Sequence, residues 1–234
     1  MKVNTSMAIE ELAGKDGKVV ARRSKFGTVF TPYLIPNNPN TGPQERIRDF
    51  FGRASRTFST LSLAQVAQWK AYANTLTFRD PVTGKLYHPE DINAFMQLAV
   101  KLLQLNPSGT IPVTPPAAPF LGDPAVVTAT STTGKVTFTA NQPNQSGVRT
   151  ELLLQRLKGP NWNPQPGSYR SQKFVQFAPG SLSSDVDVAP GWYAPAYRFV
   201  LAATGQATEI VPLPVRQVSL SVQAGGTGGK RKAA

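Results

Sequence analysis

The sequence predicts a multidomain α+β fold in which a small helical module precedes an all-β domain. Apolar residues recur with the 3.6-residue period of helices between residues 41 and 106, and with the two-residue period of strands between 120 and 222. A run with five prolines lies between these two patterns. The chain has 234 residues, of which 40% are hydrophobic, so it is long enough for two small domains with real cores. We therefore predict five parts: an arm (1–40), the helical module (41–106), a stiff linker (107–119), the β-domain (120–222) and a flexible basic tail (223–234).

The first 40 residues are interpreted as an extended basic arm. Their apolar periodicity is weak, and Pro32, Pro36 and Pro39 should exclude the segment from a central strand. We expect the arm to lie against another surface, on its own domain or on a neighbour. Five basic residues, with Asp16 as the only acid among them, crowd one part of it: Lys15, Lys18, Arg22, Arg23 and Lys25.

Three amphipathic helices are expected in the helical module. The second has the clearest start, because Ser62 and Gln65 can form a capping box. The first begins at Thr41 and the third follows Pro89, while residues 77–87 should form a turn or hairpin. The predicted apolar stripes are, in chain order, Ile47, Phe50, Phe51, Ala54 and Phe58; Val66, Trp69 and Ala73; and Ile92, Phe95, Met96, Ala99, Leu102 and Leu103.

The β-domain is expected to contain seven strands. Val136, Phe138 and Ala140 alternate with polar residues, as a strand with one buried face requires. Seven short strands over about a hundred residues, with turn signals between them, are typical of an antiparallel immunoglobulin-like or fibronectin type III-like sandwich. The segment 191–203 resembles the penultimate strand of fibronectin type III domains. The predicted strands are 124–130, 134–140, 148–157, 172–178, 182–188, 195–203 and 215–222.

The charge of the chain is strongly unbalanced. It has 25 Lys and Arg against 13 Asp and Glu, for a net charge of +12. Such a protein is attracted to polyanions through salt-sensitive contacts. The candidate contacts to a polyanion or to an acidic subunit are the five basic residues of the arm and the tail residues Lys230, Arg231 and Lys232. The simpler alternative for the tail is a solvated segment without function.

No constellation of catalytic residues is visible, and we predict that the chain is not an enzyme and takes no cofactor, metal or small-molecule substrate. It has no cysteine, and His88 has no second histidine with which to bind zinc. Asp185 and Asp187 share a face of a predicted strand, which we expect to be solvated. No apolar stretch approaches the ~20 residues of a membrane span, so no membrane contact is expected.

Trp162 is the candidate contact residue of the β-domain. It lies in the polar, proline-containing loop 159–164. An exposed tryptophan in a loop can anchor a contact with a partner. The alternative is that its ring folds back over the edge of the domain.

The layout of nearly the whole chain resembles a family of phage and prophage proteins that also occurs in environmental bacterial genomes. The resemblance implies a structural part of a tailed-phage particle and assigns no functional residue. Four segments carry it in order: the basic start through Gly27-Thr28-Val29; Asn38-Pro39-Asn40-Thr41 with Gln44, Arg48 and Phe51; Leu61-Ser62 with Gln65 and Trp69-Lys70-Ala71-Tyr72-Ala73; and Asn93-Ala94-Phe95 before a leucine-rich helix, the proline-rich run and a sandwich.

Three functions therefore stand as hypotheses. The leading one is a virion structural or accessory protein of a tailed bacteriophage (a capsid, decoration, connector or tail component). It would be made in the host cytoplasm and contact other virion proteins in several symmetric copies. The second is a nucleic-acid-binding protein that uses the basic arm. The third is a glycan- or host-surface-binding module that uses loops such as that of Trp162. The second hypothesis also draws on four arginines of the first helix: Arg46, Arg48, Arg53 and Arg56.

Overall fold

The computed structural model describes residues 2–3, 14–16, 18–24, 27–34, 40–79 and 84–219. These residues form a mixed α+β fold with three helices and several antiparallel sheets, which confirms the predicted class. The chain divides into two compact units, Met1–Glu45 and Arg46–Ala234, and each is described by itself. Among the described helices, none has both the length and the apolarity to cross a membrane.

The first unit contains a four-stranded antiparallel sheet where the sequence predicts an extended arm. Its strands are β1 (Lys2–Val3), β2 (Gly14–Asp16), β3 (Val19–Ser24) and β4 (Gly27–Pro32), in the order β1-β4-β3-β2. The expectation that this segment is excluded from a central strand is wrong, because β4 pairs with both β1 and β3; Pro32 is tolerated as the last residue of β4. Pro36 and Pro39 lie outside the described residues. Ala21 and Thr28 are buried on the two central strands.

The second unit begins within the helical module, whose three helices are α1 (Gly42–Ser59), α2 (Leu63–Thr75) and α3 (Asp91–Leu105). The predicted capping box is present: Ser62 N donates to Gln65 Oε1 at 2.9 Å, and Gln65 N donates to Ser62 Oγ at 3.3 Å. A short hairpin joins α2 to α3, as predicted, through β5 (Phe78–Arg79) and β6 (Leu86–Tyr87).

An aromatic core holds the three helices together. Trp69 of α2 packs edge-on against Phe95 of α3, with ring centroids 5.0 Å apart. The predicted stripe of α1 is only partly buried. Phe50 and Ala54 enter the core, whereas Phe51 is 49% exposed, because the core contacts only the side of α1 that carries Phe50 and Ala54.

The β-domain consists of two antiparallel sheets that share one hydrophobic core. Inward side chains of both sheets, such as Phe138, Leu152 and Phe199, form that core. One sheet has the order β10-β9-β12-β13 with β14 also paired to β12, and the other has the order β11-β8-β7. The strands are β7 (Val127–Thr132), β8 (Lys135–Ala140), β9 (Val148–Leu157), β10 (Arg170–Val175), β11 (Ser183–Asp187), β12 (Gly191–Leu201), β13 (Val211–Pro212) and β14 (Arg216–Val218).

Each of the seven predicted strands overlaps a strand of the structure, with ends displaced by a few residues. The short strand β13 was not predicted, because two residues carry no periodicity. The last predicted strand, 215–222, contains β14, and its residues from 220 onward lie outside the described residues.

The proline-rich run does not act as a spacer between two separate domains. The Trp69 indole Nε1 donates a hydrogen bond to the carbonyl of Val113 at 2.9 Å, and Gln206 Nε2 donates to the carbonyl of Ala118 at 3.0 Å. Residues 107–119 are therefore folded onto the helices and the β-domain, and the three parts form one compact unit. The carbonyls of this run are not paired in a β-sheet, so they can accept hydrogen bonds from side chains.

A buried ionic cluster joins α3 to the larger sheet. The Glu151 side chain of β9 is only 1% exposed. Both of its oxygens accept hydrogen bonds from Lys101 Nζ of α3 at 3.1 Å, and one also accepts from Arg198 Nε of β12 at 2.6 Å. Lys101 Nζ further donates to Gln104 Oε1 at 2.9 Å. Glu151 thus has one cationic partner on the helix and one on the neighbouring strand.

The cluster keeps Glu151 ionised in spite of its burial. Burial acts to raise the pKa of the Glu151 carboxyl, but the hydrogen bond from Arg198 and the charges of Lys101 and Arg198 outweigh it, so this pKa lies below its ordinary value. For Lys101, burial lowers the pKa of the ammonium group, against the opposing effect of the Glu151 charge.

A second close contact fixes α3 at the end of β12. Gly205 closes a turn in which its N–H donates to the carbonyl of Leu201 at 2.8 Å. Its φ is +76°, and a Cβ at this position would lie 2.4 Å from the carbonyl oxygen of Leu98. Only a residue without a side chain lets this turn approach the helix so closely.

We predict that Gly205→Ala destabilises the chain far more than Gly180→Ala. Gly180 has a similar φ of +83° but open space around it. Alanine there should lower the free energy of unfolding only by the backbone strain of a positive φ, about 1–2 kcal/mol. Alanine at Gly205 also clashes with α3, which should add about 1–3 kcal/mol. Urea unfolding of both variants measures the difference. Equal losses would show that the contact with α3 is not close.

We predict that Glu151→Gln lowers the free energy of unfolding by about 3 kcal/mol at pH 7, because it leaves two cations without their buried partner. Asp185→Asn is the control. It breaks an exposed pair with Lys135 and should change stability little.

The pH dependence of the Glu151→Gln effect follows from the lowered pKa of Glu151. The stabilisation by this carboxylate is complete above its unfolded pKa of ~4.3 and is lost as the pH falls through its lower folded pKa. The difference between the wild type and Glu151→Gln should therefore shrink as the pH falls below about 4. A difference that stays constant from pH 7 to pH 2 would contradict this assignment.

Candidate functional site

Trp162 extends into solvent from the connection between β9 and β10. The residue is 54% exposed, so much of its surface is open to solvent. Lys158 Nζ lies 5.0 Å from the centroid of the indole ring, at cation–π distance. The backbone N–H of Trp162 donates a hydrogen bond to the carbonyl of Gly159 at 3.4 Å, so the loop forms a turn. The tryptophan is therefore presented on a short, folded loop with a cation against its ring.

Two further cations lie on the strands that flank this loop. Arg156 is exposed near the end of β9, and Arg170 is exposed at the start of β10, where it pairs with Leu154. Within the described residues, neither arginine nor Lys158 forms a salt bridge with an acid. We call these four residues (Trp162, Arg156, Lys158 and Arg170) the Trp162 surface. All four residues are exposed, and Lys158 lies against the indole ring.

The described residues include only part of the basic cluster of the arm. Lys18 and Arg22 are exposed. Lys15 and Arg23 lie in strands β2 and β3, and Lys25 lies outside the described residues, as do Lys230, Arg231 and Lys232. Arg22 and Arg23 are consecutive residues of one strand, so their positions belong to opposite faces of the sheet. These two positions of the cluster therefore belong to different faces.

A large cavity lies between α2, α3, the proline-rich run and residues 206–207. Its volume is about 700 Å³, and its walls are mostly apolar, with Tyr72, Leu98, Pro116 and Phe120 among them. Gln206 hydrogen-bonds with the Tyr72 hydroxyl. Burial raises the pKa of Tyr72, and this hydrogen bond acts in the opposite direction. The sequence does not predict this cavity, because its walls come from four distant segments and carry no shared pattern.

The remaining polar candidates have ordinary partners. His88 Nδ1 lies 2.7 Å from the carbonyl of Leu76, at the base of the β5–β6 hairpin. Asp185 pairs with Lys135 and accepts a hydrogen bond from Thr137 Oγ1 at 2.6 Å. In the part of the chain that the structure describes, no group of three or more His, Cys, Asp or Glu is placed to hold a metal ion. The site with the clearest capacity for binding is therefore the Trp162 surface.

In comparisons with known proteins, no family model matches the chain and no curated protein matches it significantly.

We predict that Trp162 accounts for most of the iodide quenching of tryptophan fluorescence. Trp69 is only 2% exposed and Trp192 is half-buried, whereas Trp162 is open and lies beside a cation that attracts iodide. Trp162→Phe should remove most of the quenching, with Trp192→Phe as the control. Lys158→Gln should reduce quenching by iodide but not by neutral acrylamide. If Trp192→Phe has the larger effect, Trp162 is not the exposed ring.

Proposed function

We propose that this chain is a structural or accessory protein of a tailed-bacteriophage particle that works by holding other virion proteins in place. The Trp162 surface is the observation that carries the contact role. Tryptophan and arginine are among the residues most often found at the energetic centre of protein interfaces. Here both types are exposed on one loop and its flanking strands, and within the described residues neither arginine forms a salt bridge. The resemblance of the chain to phage and prophage proteins supports the choice of particle.

We also propose that the β-domain is an immunoglobulin-like or fibronectin type III-like sandwich. Two observations support this finer assignment: all strand pairs are antiparallel, and inward residues of the two sheets share one core. In this arrangement the loops lie at the two ends of the strands. The loop of Trp162 is one of them, which suits a domain that presents contacts at its tip.

The position of Trp162 in the second unit supports a bridging role. Arg149, near the start of β9, lines a cavity together with Leu102 and Leu103 of α3, while the Trp162 loop follows the other end of the strand. A ten-residue strand spans roughly 30 Å. Because α3 is fixed to the sheet, this distance is rigid. Repeated copies in a symmetric particle would let individually weak contacts add together.

The proposal predicts that the chain is a stoichiometric component of purified phage particles, detected by mass spectrometry of particles from density gradients. Trp162→Ala should reduce incorporation of the chain into particles by at least about tenfold, as expected for the loss of a central interface tryptophan. Lys135→Gln removes an exposed cation elsewhere in the same domain and serves as the control. Particles that lack the wild-type chain altogether would refute the proposal.

A second candidate function is glycan binding by the same surface. The exposed ring of Trp162 and the exposed amides of Asn161 and Asn163 are suited to stack on a sugar and to hydrogen-bond its hydroxyls. Binding of the purified chain to host-surface polysaccharide that is lost in Trp162→Ala, together with normal incorporation of this variant into particles, would favour this function over the first.

A further inference from the structure

A concave site lies between the second half of α1 and the turn that follows α3. Its volume is about 440 Å³. Two arginines of the helix form one wall, and a turn with two hydroxyl residues forms the other. The lining residues are Arg53, Arg56, Thr57, Ser108, Gly109, Thr110 and Ile111. Both walls belong to the second unit, which contains α1 from Arg46 onward.

The turn is held in place by its own hydrogen bonds. Asn106, which ends α3, accepts hydrogen bonds from Gly109 N on its carbonyl at 3.0 Å and from Ser108 N on its side-chain oxygen at 3.2 Å. A Cβ on Gly109 would lie 3.1 Å from the Asn106 carbonyl, so glycine allows the turn to close. The hydroxyls of Ser108 and Thr110 are thus carried by a fixed backbone.

The guanidinium of Arg53 is also fixed. It donates to the carbonyl of Pro107 through Nη1 and to the carbonyl of Gly109 through Nη2, the latter at 3.3 Å. These bonds use two of its five N–H groups, so donors remain. Arg56 follows three residues later on α1 and is exposed. Arginines at this spacing are neighbours on a helix surface.

The site has no acidic side chain in its lining. The nearest acid on the helix is Asp49, one turn before Arg53. Within the described residues, Asp49 forms no salt bridge with Arg53 or Arg56. Among the described residues, the two guanidinium groups thus face a lining without a carboxylate and have no salt bridge to an acid, which suits an external anion.

We propose that this cavity binds a phosphate-like oxyanion, either free phosphate or a phosphate of a nucleic-acid backbone. Guanidinium groups match the oxygens of phosphate in geometry and charge, and the hydroxyls of Ser108 and Thr110 add neutral donors. The net charge of +12 raises the local concentration of such anions. The proposal does not depend on a role in a virion.

The first test is calorimetric titration of the full chain with inorganic phosphate at constant ionic strength, with chloride as the reference anion. Arg56→Gln should weaken phosphate binding at least about tenfold, in line with the loss of a charge-assisted hydrogen bond. Arg46→Gln is the matched control, because Arg46 lies on the same helix but does not line the cavity. Arg56 is the better target, since Arg53 also supports the turn.

The second test separates the two sources of phosphate. The binding of a fluorescent DNA duplex is measured by anisotropy over a range of salt concentrations. If the cavity holds a backbone phosphate, Arg56→Gln should lower the slope of log K against log salt by about one, Arg46→Gln should leave it unchanged, and phosphate should compete. Phosphate binding that depends on Arg56 without such an effect on DNA supports the free anion.

Two results would overturn the proposal. One is a wild-type chain that binds phosphate no better than chloride. The other is an equal loss in Arg56→Gln and Arg46→Gln, since that would reflect overall positive charge rather than this cavity. Neither result bears on whether the chain is found in particles, so the two proposals can fail separately.

Discussion

The buried carboxylate of Glu151 is the constraint on which the arrangement of the second unit depends. A buried charge is tolerated only where opposite charges and hydrogen bonds compensate its loss of water. One of its two cations, Arg198, is supplied by the neighbouring strand, but the other, Lys101, comes from α3. The helix must therefore dock where Lys101 reaches the sheet. Gly205 imposes the same position by shape, because the turn it closes fits against the carbonyl of Leu98. Charge and shape thus specify a single orientation of helix and sheet.

Once α3 is fixed on the sheet, the connection between them has to run back over the helices. The carbonyls of Val113 and Ala118 then meet the side chains of Trp69 and Gln206, and the proline-rich run becomes a wall of the cavity beside α2 and α3. The turn at Ser108 and Thr110 is brought against α1 by the same path. Both cavities are therefore consequences of how helix and sheet dock. A change that releases Lys101 from Glu151 should alter them together, although neither residue lines the two cavities.

Local features of the fold could be predicted from the sequence, and long-range ones could not. The capping box at Ser62 and the alternation of Val136, Phe138 and Ala140 depend on neighbours within a few residues, and both are present. Lys101 and Glu151 are 50 residues apart, and no periodicity links them. For the same reason the proline run was interpreted as a spacer, since its partners lie on other elements. In the candidate sites, the polar loop places Trp162 near the surface but leaves open whether its ring is exposed or folds back. The pairing of Arg53 with residues 107–110 had no signal in the sequence.

The positions of the basic residues in the structure say more about binding than the net charge of the chain does. A run of basic residues in sequence is divided when it forms a strand, as Arg22 and Arg23 show. An arginine whose guanidinium is held by backbone carbonyls, as that of Arg53 is, keeps a defined direction. A fixed cation gives more specific binding than a mobile one, because less conformational freedom is lost when an anion binds. The turn that holds Arg53 and the loop that carries Trp162 belong to one compact unit, in which α3 is fixed on the sheet. The separation of these two surfaces therefore follows from the docking of α3 at Glu151 rather than from either surface itself.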